Sequence, residues 1–487
     1  MNVLFLTAEA EPYIKVGGLG DVAGSLPPAI HQVSAGEVDI RLVIPFHAGL
    51  HRQSLPLRFL VSLTIQHYPQ PFQAQVYQLD EAPIPTYFIA GPPFTTDAPV
   101  YSADSGIDGV KYTFFSLAAL EFVKAINWQP DIIHANDWHT SPALYALYVH
   151  PDPFFTACGK ILTVHNLPYL GHGAAEALGS FGLPPAVNSS LPVWAQHLPL
   201  PLGLLSADRI IAVSPSYAQE ILTKDFSAGL DEYLQTRAHD IFGILNGIDQ
   251  NSWNPAQDSV IPYRYDINRL SRKKKNKALL LQEFHLPAQD DIPLLGIISR
   301  MDYQKGIDVA FAALRQLNNL PWQMVILGTG NPVLEQTARQ LQLEMPERVR
   351  ALIRFDPHLS RKIYAAADIL LIPSRYEPCG LAQMIAMRYG TLPLARATGG
   401  LKDTITDNND PATSSGFLFE NPSPEELAHA LQRALAVYRQ PRLWRRLQRN
   451  AMQQDFSWQR SARQYLTCYQ TLTQETHSRL VSQRSAK

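Results

Sequence analysis

A chain of 487 residues exceeds what one hydrophobic core usually organises, so two or more domains are expected. Its 41 Lys and Arg against 43 Asp and Glu, with 46% hydrophobic residues, exclude the charge excess of a nucleic-acid or membrane-surface binder and suit a neutral or sugar-like partner. Three widely spaced cysteines, Cys158, Cys379 and Cys468, exclude a disulfide framework and point to a reducing compartment, the cytosol by default.

Met1–Thr7 lacks the basic start and long apolar core of a signal peptide and reads as a buried strand from Val3; no window approaches the roughly 18 apolar residues of a membrane helix. Lys15-Val16-Gly17-Gly18-Leu19-Gly20-Asp21 follows and opens a helix. Glycines let the backbone approach a ligand, and a helix start offers free N–H groups and a positive dipole end, so a phosphate fits, with Lys15 adding a full charge. Glycines that only turn the chain and pack a helix would read the same. The spacing Gly18-x-Gly20-x-x-x-Gly24 is one residue too long for a dinucleotide fingerprint, and no Gly-Lys-Ser/Thr follows, which disfavours nicotinamide dehydrogenases and P-loop enzymes.

Further strands are predicted at Ile40–Ile44, Asp131–His134, Ile161–Val164 and Arg209–Val213, with a helix over Val110–Ile126. His134-Ala135-Asn136-Asp137-Trp138-His139 and Val164-His165-Asn166-Leu167 each follow a strand, which sets Asp137, His139 and His165 on one rim. A metal on His134, His139 and His165 is conceivable, but no carboxylate cluster accompanies them and Asp-x-Asp is absent. Pro184, Pro185, Pro192, Pro199 and Pro201 predict a long loop from Leu183 to Leu202.

The second half repeats the βα pattern, with strands at Leu294–Ile298, Gln323–Leu327, Ala351–Phe355, Ile369–Ile372 and Thr391–Leu394 and helices near Gly306–Leu317, Val333–Leu341, Arg361–Ala367 and Leu381–Tyr389. The class is α/β, with domains 1–245 and 246–487. The basic run Arg272-Lys273-Lys274-Lys275 reads as a solvated helix face, with anion or glucan binding as the other possibility. Arg300 and Lys305 stand just past the carboxyl end of a parallel strand, where open α/β sheets bind ligands. A planar fork and a mobile point charge together can hold the two phosphates of a nucleoside diphosphate; surface salt bridges are the bland alternative. Pro373–Gln383 repeats the geometry, with a helix starting near Gly380 and Glu377 at the mouth of the site, where a carboxylate can grip sugar hydroxyls or offset developing positive charge. Gly399-Gly400-Leu401 makes a third glycine turn at this edge. Helices at Pro424–Tyr438, Pro441–Met452 and Trp458–Thr473 precede a polar tail predicted disordered beyond His477.

The segments Lys15–Val22, His134–His139, Thr163–Leu167, Val213–Ile221, Leu245–Asp249, Ser299–Gly306, Arg375–Leu381 and Tyr389–Pro393 resemble, in order, the bacterial glycogen synthase and plant starch synthase family. The resemblance implies a GT-B fold: two Rossmann-like domains with parallel sheets facing across a cleft, and a C-terminal helix of about 458–475 returning to the first domain. It implies a retaining, metal-free and cofactor-free glucosyltransferase that moves glucose from ADP-glucose to the non-reducing end of an α-1,4-glucan in the cytoplasm, or the plastid stroma of a plastid-bearing organism. By matching position, Glu377, Lys305, Arg300, His165 and Asp137 are the catalytic candidates. Lys15, Gly17, Gly18, Arg300, Lys305, Cys379, Gly380 and Leu381 would bind donor, and Asp137, Trp138, His139, His165 and Asn166 acceptor. No nucleic acid or membrane partner is implied. Three positions depart from the family: Ala382 replaces a phosphate-facing Thr, Leu198–Leu205 lacks an Asn-x-x-Lys, and Ala90–Asp108 lacks the usual acceptor-binding pattern. A transferase using UDP-glucose or a small acceptor, and a weakened glucan-binding paralogue, are the alternatives.

Overall fold

The computed structural model describes residues 1–52, 55–289, 291–408 and 410–485, and every count below refers to these. The chain divides into two units, Met1–Gly247 with the chain from Trp458 on, and Ile248–Ser457.

In unit 1 the strands are β1 (Asn2–Leu6), β2 (Asp39–Pro45), β3 (Leu57–Ile65), β4 (Phe72–Leu79), β5 (Thr86–Ala90), β6 (Ile132–Asn136), β7 (Gly159–Val164), β8 (Arg209–Ala212) and β9 (Ile241–Gly243). They form one sheet in the order β3-β4-β5-β2-β1-β6-β7-β8-β9, parallel from β5 to β9, with β3 and β4 added antiparallel. The central strands are apolar on both faces because helices cover them, which made them legible in sequence. β3 and β4 alternate exposed and buried residues at the edge, so their apolar signal is diluted and the sequence reading passed over them.

The helices of this unit are α1 (Gly18–Val33), α2 (Ser105–Ala125), α3 (Asp137–Val149), α4 (Ala175–Ser180), α5 (Pro199–Ser206), α6 (Pro215–Glu220) and α7 (Asp231–Thr236). α2 begins five residues before the expected Val110, because the Asp104 carboxylate caps it through the Gly106 N–H at 2.8 Å. The predicted loop from Leu183 to Leu202 is corrected at its end, where α5 starts on Pro199. Prolines in a first helical turn give up only N–H groups that have no intrahelical acceptor. The C-terminal helix, Trp458–Ser485, buries Trp458, Ala462, Tyr465, Tyr469 and Leu472 in the same core as Leu26, Ile30 and Ile132. It runs on through Ser485, against the expected disorder beyond His477; Arg479 reaches Glu475 and Asp208 at 3.8 Å.

In unit 2 the strands are β10 (Leu294–Ile298), β11 (Gln323–Gly328), β12 (Val349–Ile353), β13 (Ile369–Ile372), β14 (Leu392–Arg396) and β15 (Phe417–Phe419), all parallel in the order β12-β11-β10-β13-β14-β15. The helices are α8 (Lys273–Glu283), α9 (Ile307–Gln316), α10 (Pro332–Glu344), α11 (Pro357–Ala366), α12 (Ala382–Arg388), α13 (Gly399–Thr404), α14 (Pro424–Tyr438) and α15 (Pro441–Met452). The order is that of doubly wound dinucleotide folds, and it reverses between β10 and β13; in unit 1 it reverses between β1 and β6. Ligands of such sheets bind at the carboxyl ends beside these reversals.

Two further expectations change. β12 lies two residues earlier than read, since Phe355 is 84% exposed beyond its end. The basic run is a solvated face at Arg272, Lys274 and Lys275, but Lys273 within it, and Lys277 beyond it, are buried. No described helix is long and apolar enough to cross a membrane.

Candidate active site

In unit 1 the chain leaves β1 through Thr7-Ala8-Glu9 and returns through the glycine loop into α1. The sequence offered no signal for Glu9, yet it is the hub of this rim. Its carboxylate, 1% exposed, accepts the Val16 N–H and, at 3.0 and 3.2 Å, the Gly17 N–H; the Tyr101 hydroxyl donates to it at 2.9 Å. The expectation of free amides at this loop is corrected there: the protein's own carboxylate already fills Val16 and Gly17. Lys15 does not stand alone either, since its Nζ donates to Asp21 at 2.6 Å and Glu11 at 3.1 Å. Gly24 is required by packing, because a Cβ there would lie 2.2 Å from the Glu11 carbonyl oxygen.

The stretch around residue 101, where the family pattern is missing, is held by a buried pair. Lys111 meets Asp108 at 2.7 Å and donates to the Pro99 and Val100 carbonyls at 2.8 and 2.9 Å, and Tyr112 donates to Val100 at 2.6 Å. That scaffold fixes Tyr101, and through it Glu9.

Across the reversal, Asp137 opens α3 with φ of 54°. Its carboxylate accepts the His165 N–H at 2.7 Å, and burial pushes its pKa up to about 7, with backbone donors from His165 and Asn166 opposing. His165 Nε2 lies 2.9 Å from Asn136 Oδ1, while the Asn136 amide donates to the Leu6 carbonyl at 2.9 Å. Asn136 Oδ1 is therefore an acceptor and His165 carries its proton on Nε2, which leaves Nδ1 to accept. Burial lowers the His165 pKa to about 3, so the ring is neutral at physiological pH. His139 sits among Tyr101, Tyr112 and Trp138, also held neutral by burial. His139 Nδ1 and Asn166 Oδ1 are buried without a hydrogen-bond partner. Such atoms cost ~1–3 kcal/mol each, which a ligand hydroxyl or a water recovers.

His134 is different. It lies inside β6, fully buried, with Nδ1 2.6 Å from the Tyr469 hydroxyl and Nε2 2.7 Å from Thr163 Oγ1. Both nitrogens are spent on holding the C-terminal helix to the sheet. Among the described residues no three His, Cys, Asp or Glu side chains are grouped to hold a metal ion.

In unit 2 the turns after β10 and β13 are zipped together. Arg375 donates to Asp308 at 2.7 and 2.8 Å and to the Tyr303 carbonyl at 2.6 Å, and its N–H donates to the Gln304 carbonyl at 2.7 Å. Within this block Lys305 Nζ donates to both Glu377 oxygens at 2.7 and 2.8 Å, and Ser374 Oγ donates to one of them at 2.8 Å. Glu377, expected at the mouth of the site, is 8% exposed, drawn in by these two donors. Arg300 remains outside, its side chain 63% exposed and 3.2 Å from Asp302.

The third glycine turn presses on the same segment. Cβ atoms at Gly399 and Gly400 would each stand 2.1 Å from a carbonyl oxygen, of Glu377 and Cys379 respectively. α12 begins at Ala382, two residues after the expected Gly380, because Gly380 is in the left-handed region with φ of 73°. Gln383, which the sequence reading left unused, closes this turn by donating to the Cys379 and Gly380 carbonyls at 3.0 and 2.9 Å. Cys379 is buried; Gly380 and Leu381 are partly exposed.

Comparison with known proteins bears on both halves. Residues 2–236 match the family model described as starch synthase catalytic domain, and residues 281–454 that of glycosyl transferases group 1. The chain is 39% identical over 484 residues to a glycogen synthase of Thermotoga maritima, covering 96% of this chain and 98% of the relative. It is 37% identical to a glycogen synthase of Syntrophotalea carbinolica over 487 residues, covering 98% of this chain and all of the relative. In structure it is similar to the catalytic domain of starch synthase IV from Arabidopsis thaliana bound to ADP and acarbose, with a TM-score of 0.86, 31% identity and coverage of 97% and 99%.

Proposed function

The chain belongs to the glycogen and starch synthase family, a glucosyltransferase of glucan synthesis with the GT-B fold, and from that premise we propose that it moves glucose from ADP-glucose to the non-reducing end of an α-1,4-glucan with retention of configuration. The observation that carries this is the Lys305–Glu377 pair, fixed at 2.7 Å beside exposed Arg300 at the carboxyl ends of β10 and β13. One rigid block thus offers cations for a diphosphate and a carboxylate for the sugar. The ADP and acarbose of the starch synthase IV structure support an adenine nucleotide donor and an oligosaccharide acceptor.

In this reading Arg300 and Lys305 balance the charge of the diphosphate without a metal, and the turn through Cys379, Gly380 and Leu381 lines the donor side. The bond from the anomeric carbon to the diphosphate oxygen breaks. The acceptor hydroxyl bonds to the same face, and its proton passes to the departing phosphate oxygen. Glu377 lowers the energy of the positive charge that develops on the ring. In unit 1, neutral His165 takes a sugar hydroxyl on Nδ1, while Asp137, His139 and Asn166 supply further hydrogen bonds and Trp138 an apolar wall. Cytoplasmic action belongs to the same reading.

Labelled ADP-glucose and UDP-glucose, each offered with glycogen and with maltose, test it. Label entering glycogen from ADP-glucose is the expected result. A preference for UDP-glucose or maltose replaces the donor or acceptor, glucan binding without turnover selects the weakened paralogue, and no incorporation into any α-glucan overturns the proposal.

A further inference from the structure

The basic run Arg272–Lys275 plays no part in the site above, and the fold gives it another setting. At the opposite, amino-terminal end of the unit 2 sheet, a cavity of about 430 Å³ opens where α8, α14 and α15 meet. Besides Lys274, which has a partner of its own, its described lining carries four cations, Lys273, Lys277, Arg439 and Arg445, against two carboxylates, Asp291 and Asp368. Asp368 is already engaged, by Lys277 at 2.7 Å and by the Leu294 N–H at 2.9 Å.

Lys273 has only neutral partners for its buried ammonium, the Tyr364 carbonyl at 2.9 Å and Thr391 Oγ1 at 2.6 Å; burial lowers its pKa to about 7, with the Asp368 charge opposing. Arg439 and Arg445 form no ion pair or side-chain hydrogen bond among the described residues, and Trp444, 6% exposed, has a buried Nε1 without an acceptor. The helix ends add to this. α15 begins at the cavity with no side-chain cap and no acidic residue in its first turn, whereas α8 continues a short 3-10 turn, Leu270–Arg272, in which the Arg272 and Lys273 N–H groups donate to the Arg269 and Leu270 carbonyls. By contrast α10, α11 and α14 are capped by Asn331, Asp356 and Ser423. The uncapped start of α15 therefore directs N–H groups and a positive dipole end toward a basic cavity.

We infer that this cavity binds a small phosphate-bearing anion, with the phosphate among Arg439, Arg445 and the start of α15, and any organic part against Tyr438 and Trp444. The site is separate from the one bearing Arg300 and Glu377, because β10 spans four residue steps, about 13 Å at ~3.3 Å per residue, between the two ends of the sheet. It stands independently of the glucosyl-transfer reading. An occupied cavity stabilises unit 2, since a ligand bound only to the folded state shifts the folding equilibrium.

Inorganic phosphate and ribose 5-phosphate, titrated by calorimetry into the full chain, into R439E/R445E and into R300A, test the inference. Saturable binding is expected in the wild type and in R300A, and at least tenfold weaker binding in R439E/R445E, whose activity without phosphate stays at the wild-type level. Tighter binding of ribose 5-phosphate than of phosphate marks an organic ligand; equal binding marks free phosphate. Binding that survives the charge reversal, binding lost in R300A, or no saturable binding at millimolar concentrations overturns it.

Discussion

Glu377 gathers three donor contacts on one carboxylate, two from Lys305 and one from Ser374. Glu377→Ala leaves the surrounding backbone held by Arg375 and the glycine turn at 399–400, so turnover is expected to fall by about 10²-fold or more while the urea midpoint moves little. Unchanged turnover would remove Glu377 from the mechanism. Glu9 acts one step back, as a positioning residue that sets Val16 and Gly17 through their amides. In Glu9→Gln an NH2 group faces at least one of those N–H donors, and a loss of ~1.5–3 kcal/mol in this charged hydrogen-bond set predicts a rise of about tenfold or more in KM for the nucleotide sugar with smaller change in kcat. Equal effects on both would point to general misfolding.

Asp137 ties function to pH at the same scale. Its folded pKa of about 7 lies above the unfolded value of 3.8, so the stability it lends is complete below pH 3.8 and is lost as pH rises through 7. Asp137→Asn keeps an oxygen for the His165 N–H and has no charge to bury. Its unfolding free energy should exceed that of the wild type by about 2–4 kcal/mol at pH 8 and match it near pH 4. A gap that does not widen between those pH values, measured by urea denaturation, contradicts burial as the cause of the shift.

At the scale of elements, the loops after β10 and β13 work only as a pair. Gly306 joins them, with φ of 64° and a Cβ position 1.9 Å from the Pro373 carbonyl oxygen. Gly306→Ala must therefore part the loops that carry Lys305 and Glu377, and a loss of about 2–4 kcal/mol with a matching drop in turnover is expected. Calorimetry and initial rates check both, and a variant with native stability would show the contact to be yielding. The same scale explains why some elements escaped the sequence. The central strands announce themselves as apolar runs, whereas β3 and β4 lie at an edge, and α5 hides behind prolines that a first helical turn tolerates.

For the whole molecule, the division into units makes an asymmetric prediction. Unit 2 is one continuous segment, Ile248–Ser457, with its own core; unit 1 needs the chain from Trp458 on to cover Leu26, Ile30 and Ile132. Ile248–Ser457 expressed alone should fold cooperatively by circular dichroism. Met1–Gly247 alone should not, because the truncation exposes that core and leaves His134 Nδ1 without Tyr469. A stable, cooperatively unfolding Met1–Gly247 would refute this.

The sequence by itself determined the class of the fold, the parallel strands nearest each reversal of strand order, and the residues at their carboxyl ends, because periodicity and turn chemistry are local. It also presented Lys15, Arg300, Lys305 and Glu377 by residue type and position. Tertiary structure decided what each of these touches. It filled the glycine loop's amides with Glu9, drew Glu377 inward onto Lys305, spent His134 on the C-terminal helix and buried Lys273 in a basic run that reads as solvated. Glu9 lies only seven and eight residues from the amides it fills, but the other outcomes are set by burial and pairing across 70 to more than 300 residues of chain, and no local pattern carries them.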